Sequence, residues 1–239
     1  MTLHGKVGAF RTPVDFLPFG FVIDRSDARR LQSLVTIVEL ERNQVLAREG
    51  EVGQDFLIMA DGLLKLSKAL PGGRRQIAAF RVAGDLVTLH RCGTPWPTTA
   101  EAIVPSTLYR LEWDQLRRLA ARHPRIDRAL LDLTGDEVSN LLDRLLALGR
   151  MTTEEKVASF LLEFCHLSAA GSRLSREFAI PMRRPEIADY LGLTTETVCR
   201  ELTRLRRERI IAMPRPSTVV VLNRPVLETL AAGASDADA

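Results

Sequence analysis

The sequence predicts an α+β chain with strands in its first half, then one long helix, then a small helical domain. Three observations predict it. Between about Val35 and Trp113, short apolar runs recur with turn residues between them. From Ile126 to Leu148 the apolar positions fall seven apart. Beyond Gly149, two short helical patterns are joined by a turn that contains a glycine.

The first half holds the runs "LVTIVEL", "QVLAREG", "DFLIMADGLLKLSKA", "RQIAAFRV" and "STLYRLEW". Glu49-Gly50, Asp61-Gly62, Pro71-Gly72-Gly73 and Gly84-Asp85 punctuate them. Short strands at roughly 8–12-residue spacing make an antiparallel sandwich or barrel, and "PGG" between two such runs marks a hairpin. Leu64 and Leu66 alternate with Lys65 and Ser67, as a strand does. From Glu112 the period becomes helical. Trp113, Leu116 and Leu119 share a face, and the helix stops near His123-Pro124.

The next helix would be about 35 Å long over Ile126–Leu148 at ~1.5 Å per residue. Leu131, Val138 and Leu145 are seven apart; Thr134, Leu141 and Leu148 follow each by three. That is an a/d register, expected to form a dimer seam. Leu130, Leu142 and Leu146 widen the apolar surface, so a second face could cover the β domain. Packing within its own domain is the competing role for this helix. Gly149 ends the run, and Thr152 and Glu155 have capping-box spacing at the next helix start. Three segments are therefore expected: residues 1–124, an N-terminal arm and strand domain; 125–149, the dimerisation helix; and 150–239, the second domain.

Composition narrows the function class. The 239 residues are 46% hydrophobic and 26% charged, with a net charge of +3, which permits nucleic-acid binding without demanding it. No basic start with an apolar run marks a signal peptide, and no apolar stretch reaches a membrane-spanning length. Three widely spaced cysteines, Cys92, Cys165 and Cys199, fit a reducing cytoplasm. With no C-x-x-C pair or Cys/His cluster, no metal site is expected, and no cofactor. No nucleophile–base set or phosphate loop suggests an enzyme.

The chemistry concentrates in "RRPEIADYLGLTTETVCRELTRLRRERII". Pro185 suits a first helical turn, and Ile187, Ala188 and Leu191 give that helix an apolar face. Gly192 suits the position past its end, and Thr194 can cap a second helix from Thr195. Val198, Leu202 and Leu205 point to the core. This is a helix-turn-helix, and "AMPRPSTVVVL" adds a turn and a strand, the winged form. Thr195, Glu196, Cys199 and Arg200 lie on the outer face near the N-terminus of the second helix, where base edges are reached in a major groove. Arginine bonds guanine bidentately and glutamate accepts from cytosine, so Glu196 and Arg200 can read a G·C pair. The competing role is an i,i+4 ion pair on a wet face. Arg183, Arg184, Arg204, Arg206 and Arg207 offer charge for phosphates.

On these residues the chain resembles the Crp/Fnr superfamily of bacterial transcription regulators, and "EIADYLGLTTETVCREL" closely matches that family's DNA-binding signature. The resemblance implies an N-terminal β-roll, a jelly roll of the cyclic-nucleotide-binding kind. It also implies a homodimer on a palindromic DNA site, with RNA polymerase as a further partner. It carries base-reading roles to Glu196 and Arg200, with a TTGA-like half-site, and phosphate contacts to Arg184, Thr194 and Thr197. Members that sense cyclic AMP place an arginine before Ser/Thr-Ala; here "AGDLVTLHRCGTPWPTTAEA" offers Thr98-Thr99-Ala100, with Arg91 seven residues earlier. Fnr sensors carry an N-terminal cysteine cluster, and here no cysteine precedes Cys92. The chain is thus most similar to the FixK-type subgroup, with no evident cluster or nucleotide site. That subgroup commonly has serine where Cys199 stands. A thiol there is either a small filler or a redox switch whose oxidation places an anion against phosphate. Two rivals remain, a cyclic-nucleotide-responsive regulator of the same fold and a nucleotide-sensing module that binds no DNA.

Overall fold

A computed structural model describes residues 25–88, 93–168 and 176–233. The N-terminal arm, Arg91 and Cys92 lie outside the described residues. The described chain falls into two compact units, one up to Asn140 and one from Leu141 onward. Among the described residues no helix is long and apolar enough to cross a membrane.

The first unit opens with α1 (Arg25–Leu34), followed by β1 (Thr36–Leu40), β2 (Val45–Ala47), β3 (Asp55–Asp61), β4 (Leu63–Ala69), β5 (Arg75–Val82), β6 (Thr99–Ala102) and β7 (Ser106–Glu112). Two antiparallel sheets result, in the orders β1-β7-β3 and β2-β6-β4-β5. The expected runs all contain strands, and β4 and β5 form the expected hairpin across Pro71–Gly73. β6 was not foreseen. Its sequence "TAEA" has no large apolar residue, yet it lies between β2 and β4 with Ala100 and Ala102 fully buried.

β3 explains why "DFLIMA" reads as a continuous apolar run. Phe56 and Ile58 join one core cluster with Leu31, Leu111, Leu116 and Ile126, on the helical side. Leu57 and Met59 join another with Leu64, Leu66, Trp96 and Leu108. A strand buried on both faces loses its polar alternation. β4 alternates in sequence and is nonetheless buried on both faces. Lys65 and Ser67 are buried with the leucines, because the Lys65 ammonium meets the Glu101 carboxylate at 2.9 Å on the adjacent strand. A buried charge is tolerated once it is paired.

The β3–β4 turn depends on Gly62. Its φ is +94°, and a Cβ there would lie 2.3 Å from Ser106 Oγ and 2.7 Å from the Pro105 carbonyl. Only glycine fits both the conformation and the space.

The helices α2 (Trp113–Ala120) and α3 (Pro124–Arg150) follow. α3 is two residues longer at each end than the heptad pattern indicates. Ile126 and Ala129 anchor its first turns in the helical-side core, with Leu130 and Leu133 packed against it. Further along, Leu131, Val138, Leu141 and Leu145 are 47% to 66% exposed, and Leu142 and Leu146 are exposed as well. Arg81 on β5 reaches α3 through a paired contact, Nη1 to Glu137 Oε1 at 3.2 Å and Nη2 to Glu137 Oε2 at 2.9 Å, with both side chains largely buried.

The second unit holds the end of α3 together with α4 (Thr153–Ser168), β8 (Glu177–Ala179), α5 (Arg184–Leu191), α6 (Thr195–Arg207), β9 (Ile211–Arg215), β10 (Thr218–Val221) and α7 (Arg224–Ala231). Thr152 and Glu155 form the expected capping box, with Glu155 N–H donating to Thr152 Oγ1 at 3.3 Å and Thr152 N–H to the Glu155 carboxylate at 3.1 Å. Cys165 lies in the core, and burial raises its thiol pKa. The single strand expected after Ile211 is a hairpin, β9–β10, and β8 adds a third strand in the order β8-β10-β9. Pro214 and Pro216 weaken the sequence signal for β9, since proline donates no ladder hydrogen bond.

Candidate nucleic-acid interface

The helix-turn-helix forms as its local sequence dictates. Glu186 is buried and accepts from Arg183 N–H at 2.7 Å, which satisfies one backbone donor at the start of α5. Gly192 ends α5 at φ 64°, a left-handed turn that turns the chain toward α6. Thr194 Oγ1 accepts from Thr197 N–H at 3.1 Å and lies 2.8 Å from Thr197 Oγ1, so both threonines serve the N-cap of α6. Val198, Leu202 and Leu205 are buried against the rest of the domain.

That packing fixes the opposite face of α6. Thr195, Glu196, Cys199 and Arg200 are all exposed on its first two turns, as their spacing requires. Among the described residues, no ion pair or hydrogen bond joins Glu196 to Arg200. The competing intrahelical pair is thus not formed, and both polar heads remain available to a partner.

The arginines divide into different roles. Arg204 was expected to serve phosphates, and the structure corrects this. It donates through Nε to Glu201 at 2.8 Å, lies 3.3 Å from Glu154 on α4, and bonds Glu208 at 2.9 Å. The hydrogen bond to Glu201, followed by the nearby carboxylates, raises its pKa. Arg204 therefore holds α6 to α4. Arg184 donates to the Pro216 carbonyl at 2.8 Å, which ties α5 to the β9–β10 turn. Burial lowers its pKa, countered by the Cys199 thiol nearby. Arg183 is exposed and 3.5 Å from Glu186. Arg206 and Arg207 are exposed. Arg184, Cys199, Thr203, Arg206 and Met213 line a small open cleft of about 130 Å³ beside the exposed face of α6.

Sequence reasoning passed over Arg144. Its guanidinium lies 3.3 Å above the centre of the Tyr190 ring, and it donates to the Tyr190 carbonyl. Nothing in the local pattern marks it, because its partner is 46 residues away. Leu148, expected in the seam, is half-buried, and its Cδ2 would lie 3.3 Å from a Cβ at Gly192.

Comparison with known proteins agrees with this architecture. Residues 37–123 match the cyclic nucleotide-binding domain family, and residues 155–230 match the Crp-like helix-turn-helix domain family. The chain is 33% identical over 191 residues to the nitrogen fixation regulation protein FixK of Bradyrhizobium diazoefficiens, covering 80% of each chain. It is 33% identical over 207 residues to the transcriptional activatory protein AadR of Rhodopseudomonas palustris, covering 87% of this chain and 86% of that one. The solved structure of FixK2 from Bradyrhizobium japonicum superposes with a TM-score of 0.74 at 32% identity, over 82% of this chain and 96% of that one. With its β-roll, long helix and winged helix-turn-helix in place, the chain belongs to the Crp/Fnr family of DNA-binding transcription regulators, in its FixK-like branch.

Proposed function

We propose that the protein acts in the cytoplasm as a homodimeric activator that reads a TTGA-like inverted repeat through Glu196 and Arg200. The observation that carries this reading is the exposed, mutually unpaired Glu196 and Arg200 on the first two turns of α6. Thr195 borders them, while Thr194, Thr197 and the remaining N–H groups of Arg184 meet phosphates. Half-site centres lie about one helical turn, ~34 Å, apart. The names of AadR and of the transcriptional activator protein FnrA of Stutzerimonas stutzeri favour activation, and RNA polymerase is the further partner proposed for it.

Selection of bound sites from random duplex DNA tests the reading, and an enriched sequence without inverted symmetry overturns it. Arg200→Ala should lose ~1–3 kcal/mol at the base pair it reads and relax preference there. Arg184→Ala should weaken all sequences alike and make the salt dependence shallower. Equal operator binding by Arg200→Ala and the parent would remove Arg200 from the reading set.

The β-roll match also keeps a cyclic-nucleotide-responsive reading in view. Thr98 stands where a phosphate-clamping arginine is expected, and Thr99 Oγ1 accepts from Glu49 N–H at 3.0 Å. Operator binding is therefore proposed to need no cyclic AMP.

Cys199 is exposed on the reading face, in the cleft with Arg184 and Arg206. Oxidation to sulfinic or sulfonic acid would add a bulky anion facing phosphate, so operator binding should fall sharply. Cys199→Ala should bind DNA and resist peroxide, and Cys199→Asp should bind poorly. Gel-shift titration before and after peroxide checks this, and equal loss in parent and Cys199→Ala would reduce the thiol to a space-filler.

A further inference from the structure

The last turns of α3 hold the reading domain at four points. The Arg144 guanidinium covers the Tyr190 ring and also donates to the Tyr190 carbonyl. Tyr190 is itself fixed. Its hydroxyl donates to the Glu163 carboxylate on α4 at 3.2 Å, and its ring lies 5.9 Å from that of Phe160. One helical turn after Arg144, Leu148 packs on the Gly192 turn that joins α5 to α6. Lys156 donates to the Leu148 carbonyl at 3.0 Å, which secures the C-terminal end of α3 to α4.

These contacts converge on one place. Tyr190 is the penultimate residue of α5, and Gly192 and the Thr194 cap follow it directly. The direction in which α6 leaves that turn therefore depends on what α5 and Gly192 rest on, together with the Arg204 contact to Glu154 on α4. They rest on the same stretch of α3 that displays Leu141 and Leu145. A stacked guanidinium that also bonds a backbone carbonyl holds both distance and angle, because its plane and fork are rigid. Burial lowers the Arg144 pKa, with Tyr190 and Glu163 opposing that shift, as expected of a cation enclosed between fixed partners.

We propose that Arg144, closed on Tyr190, is a positioning residue that sets which half-site spacing the protein accepts. This rests on the palindrome-reading homodimer proposed above. In a dimer joined along α3, the angle between α3 and α6 fixes the distance and rotation between the two reading helices. One added base pair separates the half-sites by a further ~3.4 Å and turns one against the other by about 34°. A rigid junction engages both half-sites only at the matching spacing; a loose one tolerates neighbours.

The test is a gel-shift series on inverted repeats of the selected half-site, with the central spacer shortened or lengthened by one and two base pairs. It uses the full-length parent, Arg144→Met and Arg144→Lys. The parent should lose about tenfold or more in affinity for a one-base-pair change, as expected when simultaneous engagement fails. Arg144→Met keeps the stem and removes the fork; its loss should shrink to about threefold or less, with base preference inside each half-site unchanged. Arg144→Lys keeps the charge without the planar fork, so it should broaden the profile by a smaller amount. It also keeps the proposal testable should Arg144→Met fail to fold. Uniform weakening at all spacings, or an unaltered profile in both variants, overturns the positioning role. A parent without any spacing preference overturns the underlying palindrome reading instead.

Discussion

Leu141→Glu should yield a folded monomer whose operator affinity falls by roughly 10²–10⁴-fold. The reason lies in α3. Leu131, Val138, Leu141 and Leu145 follow a heptad register, and each is about half or more exposed in the single chain. An apolar stripe of that length on a helix in water is costly unless a partner covers it. A two-fold axis along α3 would bring the two Leu141 side chains together, so a glutamate there would bury two like charges in an apolar seam. Without the seam, each reading helix meets its half-site alone, and the gain from linkage is lost. Sedimentation gives the mass, and gel shift on the palindrome and on a single half-site gives the affinities. The half-site affinity should be unchanged, since Leu141 lies well before α6. An unchanged dimer would place the interface elsewhere.

The second large effect concerns Arg81 and Glu137. Both are largely buried and bonded through two parallel contacts, while Arg81 Nε is buried without a hydrogen-bond partner among the described residues. Removing one member leaves an uncompensated buried charge, so Glu137→Leu should cost ~3–5 kcal/mol. The double change Arg81→Met with Glu137→Leu should recover most of that loss, because no charge then remains to be desolvated.

Asp85 adds a pH signature to the same cluster. Burial pushes its carboxyl up to about 6, opposed by Arg81 and the Val82 N–H and reinforced by Glu137. A raised carboxylate pKa means the folded state binds the proton more tightly. The contribution of Asp85 is therefore fully present below about 3.8 and is lost as pH rises through about 6. Asp85→Asn should thus be more stable than the parent at pH 7.5 and lose that advantage at acid pH. Glu137→Leu removes a repelling carboxylate and leaves Arg81 free to favour the charged form, so the pH dependence should shrink. Urea unfolding at pH 5 and 7.5 measures both effects. A single variant as stable as the parent would show that the pair holds nothing in place.

The second domain was legible because its signals are local. Gly192, the Thr194 cap and the buried Val198, Leu202 and Leu205 lie within one short stretch, and each acts on its neighbours by turn geometry or helical period. The same holds for the capping box of Thr152 with Glu155. The strand domain was legible in kind and incomplete in detail. β6 has only small apolar residues and is a strand because β2 and β4 pair with it on both sides. Nothing near Lys65 in sequence shows that Glu101 will lie opposite.

By itself the sequence determined the order of strand domain, long helix and helix-turn-helix, the apolar heptad register of α3 and the exposed face of α6 that carries Glu196 and Arg200. Each of these follows from residues within one or two turns of one another. The tertiary structure alone decided which charged residues are free. It joined Arg204 to Glu154, Arg184 to the wing carbonyl of Pro216, Arg81 to Glu137 and Arg144 to Tyr190. A long cationic side chain takes the partner that folding brings within a few ångströms, and that partner can lie tens of residues away in the chain. Periodicity places such a residue on a face, and only the packed neighbours determine what it holds.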